Sequence, residues 1–190
     1  YMITAELNGN RSGGNGALMR TVYPGLFYRD EQEAAQEASD IGRMTHWDNH
    51  SDDACQLYTR IIHRMVENAK ERQDDQWREL DMRKALKETE YDIGSILNEA
   101  RHLNPTGYVV DSMMCAVCAF WTSESFEEAV TDAANLGGDA DTIAAITGGL
   151  AGAFYGFSAI PKRWTDALAP EVRARIDTLA DAAFANRTAE

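Results

Sequence analysis

The segment Thr142–Tyr155 most constrains the fold, because a helical apolar pattern coincides there with an unusual number of glycines. Gly148, Gly149, Gly152 and Gly156 follow one another closely, and each glycine inside a helix costs up to about 1 kcal/mol relative to alanine. Such a helix is expected to form only where neighbouring helices pack tightly against it. Because Gly148, Gly152 and Gly156 share one stripe of the helix, the spacing predicts a close helix crossing along that stripe.

The start of the same segment carries clustered oxygen ligands. Asp139, Asp141 and Thr142 follow the pair Gly137-Gly138, and carboxylate and hydroxyl oxygens suit a hard cation such as Mg²⁺ or Ca²⁺. Asp139 and Thr142 project to one side of a first helical turn, whereas Asp141 joins them only if the backbone at Asp139 is not yet helical. The alternative is that Asp139 or Asp141 caps the helix, as acidic residues commonly do.

Apolar residues recur at helical spacing along most of the remaining chain, and no segment alternates as a half-buried strand would. Helices are predicted over Glu31–Gly42, Asp53–Ala69, Trp77–Leu86, Ile93–Leu103, Val109–Trp121, Phe126–Leu136, Thr142–Tyr155 and Pro170–Ala185. Ser51 or Asp52 is expected to cap the helix that begins at Asp53. The patterns predict an all-α fold with one domain over residues 1–190, a length sufficient for a single core.

Charge and cysteine content limit the classes of partner. The formal net charge of −13 argues against nucleic acid, because phosphate binding relies on Lys and Arg. The sequence has three cysteines and no apolar run of about 20 residues, so we expect a cytoplasmic protein without membrane contact. Cys115 and Cys118 have the spacing of a redox motif but lie in an apolar helix, which favours buried core thiols.

Two further motifs lie upstream, the glycine loop at residues 12–16 (Ser12-Gly13-Gly14-Asn15-Gly16) and the pair Thr45-His46. Glycines let backbone N–H groups turn toward a ligand and Asn15 adds an amide, which suits a pyrophosphate or ribose hydroxyls. Taken alone, such a loop is more simply a turn. His46 and His50 have the spacing of zinc ligands, but no third ligand is evident, so zinc is not favoured.

Taken in order, these motifs resemble those of the ADP-ribosylglycohydrolases. The resemblance covers about Asn10 to Trp164 and rests on the segments Ser12–Arg20, Thr45-His46, Gly107–Ser112, Ser125–Val130, Asn135–Thr142 and Gly152–Gly156. It implies the compact, orthogonal helical bundle of that family.

The resemblance also implies an activity and a site. The family removes ADP-ribose from modified protein by Mg²⁺-dependent hydrolysis of the glycosidic bond, and arginine is the expected linkage. The family's site holds two Mg²⁺ ions. The resemblance implies that Asp139, Asp141 and Thr142 form one side of this site. ADP-ribose is expected to contact Ser12, Gly13, Gly14, Asn15, Gly16, His46, Gly137 and Gly138, with Tyr108 a candidate for stacking on a ring. The expected partners are therefore ADP-ribose or an ADP-ribosylated protein.

Family members carry an earlier portion that holds a catalytic Glu and a Ser/Thr-Asp-Asp-Thr run. We therefore expect this chain to lack its N-terminal helices, to need that N-terminal segment as a partner, and to have no catalytic carboxylate of its own. The run Ser51-Asp52-Asp53 is similar in letters, but it follows Thr45-His46 instead of preceding the glycine loop, so a helix cap is favoured. The alternative function is a catalytically inactive relative that binds ADP-ribose or acts as a structural or interaction protein.

Overall fold

A computed structural model describes residues 12–70, 81–85 and 103–188, and these residues are helical apart from loops, turns and one isolated β-bridge. The helices are α1 (Val22–Phe27), α2 (Glu31–Arg43), α3 (Asn49–Glu67), α4 (Val109–Thr122), α5 (Phe126–Asn135), α6 (Ala140–Tyr155), α7 (Lys162–Asp166) and α8 (Pro170–Thr188). Residues 81–85 are also helical. The predicted all-α fold is confirmed.

The long predicted helices in the described ranges agree with α2, α3, α4, α5, α6 and α8 to within a few residues. Of the helix predicted over Trp77–Leu86 only residues 81–85 are described, and nearly all of Ile93–Leu103 lies outside the described residues. The short helices α1 and α7 were not predicted, because about one and a half turns are too few to display a helical period. In the part of the chain that the structure describes, no helix is long and apolar enough to cross a membrane.

Helix α3 begins four residues before its predicted start, and its N-cap is Asp48. The Asp48 carboxylate accepts the backbone N–H of Ser51 at 3.0 Å, so Ser51 and Asp52 lie inside the helix. The prediction that Ser51 or Asp52 caps this helix is therefore wrong. Asp52 instead accepts hydrogen bonds from Arg43 and Ser39, which joins α2 to α3.

The core forms where α3, α4 and α6 pack together. Its largest fully buried side chains include Tyr58, Ile61, Ile62 and Met65 from α3, Val117 and Phe120 from α4, and Ile143, Ile146 and Leu150 from α6. Burying each such side chain stabilises the fold by roughly 1.5–3 kcal/mol. Tyr58 also donates from its hydroxyl to the carbonyl of Ile146 at 3.0 Å. This packing fixes the position of α6, and with it the acidic residues at the start of that helix.

The close crossing on α6 lies at Gly149 and not on the predicted stripe. A Cβ at Gly149 would lie 2.0 Å from the Tyr58 hydroxyl, whereas the nearest atoms at Gly148 and Gly152 would be 3.7 Å and 3.9 Å away. Gly156 follows the helix and has a positive φ of 79° with nothing within 4 Å. Gly148 and Gly152 do face a neighbouring helix, since Val130 and Phe126 of α5 lie at ordinary contact distances from them. The prediction is wrong about where the packing is tightest, because the spacing does not identify the face that turns toward α3.

All three cysteines are thiols in the core. Cys55, Cys115 and Cys118 are at most 3% exposed, which confirms the prediction of core thiols for the latter two. Burial raises the pKa of the Cys55 thiol to about 12 and those of Cys115 and Cys118 to about 11. These thiols are therefore protonated and unreactive in the folded protein.

Candidate functional site

The glycine loop is bound to the segment that precedes α4. The Asn15 backbone N–H donates to the carbonyl of Gly107 at 2.9 Å, and that of Val109 donates to the carbonyl of Gly13 at 2.8 Å. These bonds form the isolated antiparallel bridge between residues 14 and 108. A Cβ at Gly13 would lie 2.9 Å from the Tyr108 ring. A side chain at this position would therefore displace the Tyr108 ring.

Asn15 joins the glycine loop to the start of α6. Its side chain is 8% exposed, and its amide nitrogen donates to the Ser112 hydroxyl at 2.7 Å and to Asp139 Oδ2 at 2.5 Å. An amide nitrogen has two hydrogens, so both are used within the protein. Asn15, which the sequence predicts to contact ADP-ribose, therefore also orients Asp139, a predicted metal-binding residue.

Asp139 occupies the N-cap position of α6, but its side chain makes no capping hydrogen bond. Its backbone is not helical, with φ −86° and ψ 47°, which is the condition under which Asp141 was expected to join the cluster. Asp139 Oδ1 accepts from the Thr142 hydroxyl at 3.3 Å, and its Oδ2 faces Asn15. Asp141 is exposed on the first turn. The carboxylate of Asp139 is thus oriented by side chains and not used for capping.

Gly137 and Gly138 bring the start of α6 against the loop before α4. Both have positive φ, 79° and 59°, a conformation that costs other residues roughly 1–2 kcal/mol. A Cβ at Gly138 would lie 2.0 Å from the carbonyl oxygen of Pro105, which accepts the Asp139 N–H at 3.0 Å. Both positions favour glycine because of their positive φ. At Gly138 a side chain would in addition collide with the carbonyl oxygen of Pro105.

His46 packs on the glycine loop. A Cβ at Gly14 would lie 3.1 Å from His46 Nε2, and one at Gly16 would lie 3.2 Å from Cε1. Burial lowers the pKa of His46 and the guanidinium of Arg20 lowers it further, against a smaller opposing effect of Asp48. The ring is therefore neutral near pH 7, and its Nε2 edge faces the loop backbone.

A cleft of about 420 Å³ opens beside the loop and is lined by Ser12, Gly13, Gly14, Asp48, His50, Gly107 and Tyr108. Within it, the Tyr108 hydroxyl lies 2.5 Å from His50 Nδ1, and the two rings meet edge to face at 6.2 Å. The Tyr108 ring is 39% exposed. The Ser12 hydroxyl is buried and has no hydrogen-bond acceptor or donor in the described structure. The cleft thus offers an accessible ring, and the unsatisfied Ser12 hydroxyl is buried beside it.

The donor set at the start of α6 fits a hard cation only in part. Within the described residues, no group of three or more His, Cys, Asp or Glu side chains could hold a metal ion. Asp139 and Asp141 offer two carboxylates and Thr142 a hydroxyl. All three supply oxygen atoms, the ligand type that Mg²⁺ prefers.

The structure therefore brings the predicted residues of the glycine loop together with His46, Tyr108 and Asp139, and Gly137-Gly138 adjoins them through Pro105. Sequence reasoning missed Asp48 as a cleft residue and considered His50 only as a zinc ligand. The one feature of the sequence that could have indicated Asp48 and His50 as cleft residues is that they closely follow Thr45-His46.

The comparisons with known proteins agree with this arrangement. A family model described as ADP-ribosylglycohydrolase matches residues 3–190, and the chain belongs to that family. The chain is 33% identical over 177 residues to ADP-ribosylarginine hydrolase Tri1 of Serratia proteamaculans, which covers 91% of this chain and 47% of the relative. It is 32% identical over 162 residues to the protein of the same name from Pseudomonas putida, with coverage of 83% and 43%.

A solved structure described as an ADP-ribosylglycohydrolase-related protein complex matches with a TM-score of 0.76 and 26% identity. The match covers 97% of this chain and 68% of that chain. The chain spans about half the length of the curated relatives named here.

Proposed function

We propose that this chain forms the ADP-ribose-binding part of an ADP-ribosylglycohydrolase that releases ADP-ribose from modified arginine on a protein. The observation that carries the proposal is the bond from Asn15 to Asp139, which links the glycine loop to the start of α6 across 124 positions of sequence. The names of the Serratia and Pseudomonas relatives support arginine as the linkage. The presence of three cysteines as thiols supports a reducing compartment such as the cytoplasm.

Each part of ADP-ribose has a chemically suitable partner in this arrangement. The pyrophosphate needs clustered donors. The candidates are the backbone N–H groups of Gly13, Gly14 and Gly16, since that of Asn15 donates to Gly107, and the Nε2 edge of His46. Adenine needs an accessible aromatic or apolar wall, and Tyr108 is a half-exposed ring beside the loop. The distal ribose would lie toward Gly137-Gly138 and the start of α6.

We assign Mg²⁺ to Asp139, Asp141 and Thr142. Bound there, Mg²⁺ supplies positive charge that orients ribose hydroxyls or polarises a water molecule. The protein contributes the orientation of the Asp139 carboxylate, since Asn15 holds one oxygen and Thr142 the other.

The metal assignment is tested by titrating Mg²⁺ into the protein in a calorimeter. Asp139→Asn and Asp141→Asn should each remove the heat of binding, whereas Asp132→Asn, an exposed carboxylate on α5, should leave it unchanged. Unchanged binding in both Asp139→Asn and Asp141→Asn would show that the cation binds elsewhere.

A general acid or base is not assigned among the described residues. Asp48 lines the cleft, but its Oδ1 is occupied by the N–H of Ser51.

The proposed function is tested by measuring ADP-ribose binding, followed by release of ADP-ribose from an ADP-ribosylated arginine substrate. Gly14→Val should weaken binding, because its side chain would push against His46. Gly152→Ala on α6 is the control and should bind normally. Because no catalytic carboxylate is assigned in this chain, binding without turnover is the expected result for the chain alone, and absence of binding would contradict both the proposed function and the inactive ADP-ribose-binding alternative.

A further inference from the structure

Arg20 and Thr45 surround the Nδ1 edge of His46, on the side away from the glycine loop. Arg20 donates from Nη2 to the Thr45 hydroxyl, and the same nitrogen lies 3.5 Å from His46 Nδ1. The Thr45 hydroxyl lies 2.8 Å from that Nδ1. Arg20 ends the 3₁₀ turn that follows the glycine loop, and Thr45 follows α2. Two separate parts of the chain thus converge on one ring nitrogen.

The direction of these hydrogen bonds is set by chemistry. A guanidinium can only donate, so the Thr45 hydroxyl accepts from Arg20 and has its own hydrogen left to donate to His46 Nδ1. A proton on Nδ1 would instead face the N–H groups of the Arg20 cation. The Thr45 oxygen has a second lone pair that could accept from an Nδ1–H, but the Arg20 cation, whose Nη2 lies 3.5 Å from Nδ1, favours the form with the lone pair on that nitrogen. In a neutral imidazole the proton then lies on Nε2, the atom that faces Gly14.

We propose that Arg20 and Thr45 are positioning residues that hold His46 in its Nε2–H form, so that Nε2 donates a hydrogen bond to a phosphate oxygen of a ligand in the glycine loop. This inference rests on the proposed function for the identity of the ligand, a nucleoside diphosphate sugar. The tautomer itself is a property of the unliganded protein.

The electrostatics around the ring agree with this role. The Arg20 cation and the Asp48 carboxylate act on the ring in opposite directions, and together with burial they leave the pKa of His46 below its usual range. Arg20 is itself exposed, so replacing it removes little packing, and surface substitutions of this kind usually change stability by less than about 0.5 kcal/mol. Its replacement can therefore be studied in a folded protein.

The tautomer is tested by ¹⁵N NMR of the histidine rings in the full chain without ligand. The wild type should show His46 with an unprotonated Nδ1 and a protonated Nε2 across neutral pH. Arg20→Gln should raise the His46 pKa and mix the two tautomers. Thr45→Val should mix them as well, whereas Thr45→Ser, which keeps the hydroxyl, should preserve the wild-type spectrum. Arg163→Gln, which removes an exposed arginine paired with Glu127, is the control.

The ligand part of the proposal is tested by measuring ADP-ribose affinity in the same variants. Arg20→Gln and Thr45→Val should each weaken binding about tenfold, the effect of one misdirected hydrogen bond to a charged group, while Thr45→Ser and Arg163→Gln should not. A wild-type proton on Nδ1, or an unchanged spectrum in Arg20→Gln and Thr45→Val, would overturn the tautomer assignment. Failure of the wild type to bind ADP-ribose would instead refute the proposed function, and with it the ligand role of His46.

Discussion

At the scale of single residues, Gly137 and Gly138 differ in one respect that can be measured. Both have positive φ, so alanine at either position meets backbone strain of roughly 1–2 kcal/mol. Only Gly138 also faces an obstacle, since its Cβ would lie 2.0 Å from the carbonyl oxygen of Pro105. Gly138→Ala should therefore lower the free energy of unfolding by clearly more than Gly137→Ala in urea denaturation. Equal losses of unfolding free energy in the two variants would mean that the turn at Gly137-Gly138 and the segment at Pro105 move apart easily to accommodate the methyl group.

The same residues show what a sequence can and cannot predict about a site. The sequence predicts a cluster of metal ligands at Asp139, Asp141 and Thr142 from their oxygen atoms alone. Helix capping is the alternative, because an acidic residue before a helix can either bind a metal ion or cap the helix. In the structure the Asp139 carboxylate accepts from Asn15 and not from the helix backbone, which argues against a capping role, while the metal cluster stays a prediction. That partner lies 124 positions away, and no local pattern encodes such a contact. The contact of His50 with Tyr108 is likewise set by how α3 packs beside α4.

At the scale of elements, the helices with several turns were predictable because their apolar residues repeat often enough to define a period. Helix rotation was not predictable. Glycines at 148, 149, 152 and 156 all signal close packing, but the positions of α3 and α5 decide how closely each of them is approached, and the tightest approach is that of Tyr58 to Gly149. The cap of α3 was misplaced for a related reason, because Asp48, Ser51 and Asp52 are all suitable capping residues.

The crossing of α3 and α6 gives a matched test on one helix. Gly149→Ala should be destabilising by roughly 2 kcal/mol or more, because its methyl group would displace the Tyr58 hydroxyl from the carbonyl of Ile146 and overpack the core. Gly152→Ala should be neutral or stabilising by up to about 1 kcal/mol, since its nearest contact is an ordinary one at 3.9 Å and alanine favours a helix. Thermal unfolding of both variants measures the difference. A tolerated Gly149→Ala would place the crossing elsewhere.

At the scale of the whole molecule, ordered motifs were sufficient to identify the family and its all-α fold, both of which are confirmed. Several widely spaced motifs in a fixed order identify a family better than any one of them does. A glycine loop or an acidic residue at the start of a helix occurs in many unrelated folds. The motifs do not specify which linkage the proposed hydrolase would cleave, because that choice depends on contacts with the leaving group.

The core thiols offer a test of whether the described helices unfold as one unit. Cys55 lies on α3, whereas Cys115 and Cys118 lie on α4, and all three are at most 3% exposed. Burial raises the pKa of the Cys55 thiol to about 12 and those of the other two to about 11. At about pH 8 each is therefore almost entirely in the protonated form, and only the thiolate reacts with a disulfide reagent.

Labelling should consequently require opening of the core. We expect negligible reaction in native buffer, immediate reaction of all three thiols in roughly 6 M guanidinium, and one common dependence of the three labelling rates on urea at intermediate concentrations. Mass spectrometry of the labelled peptides would follow each thiol separately. A thiol on α4 that labels faster and with little dependence on urea would show that α4 opens locally while α3 stays folded. That result would also bear on the site, because the segment leading into α4 holds the glycine loop through Gly107 and Val109.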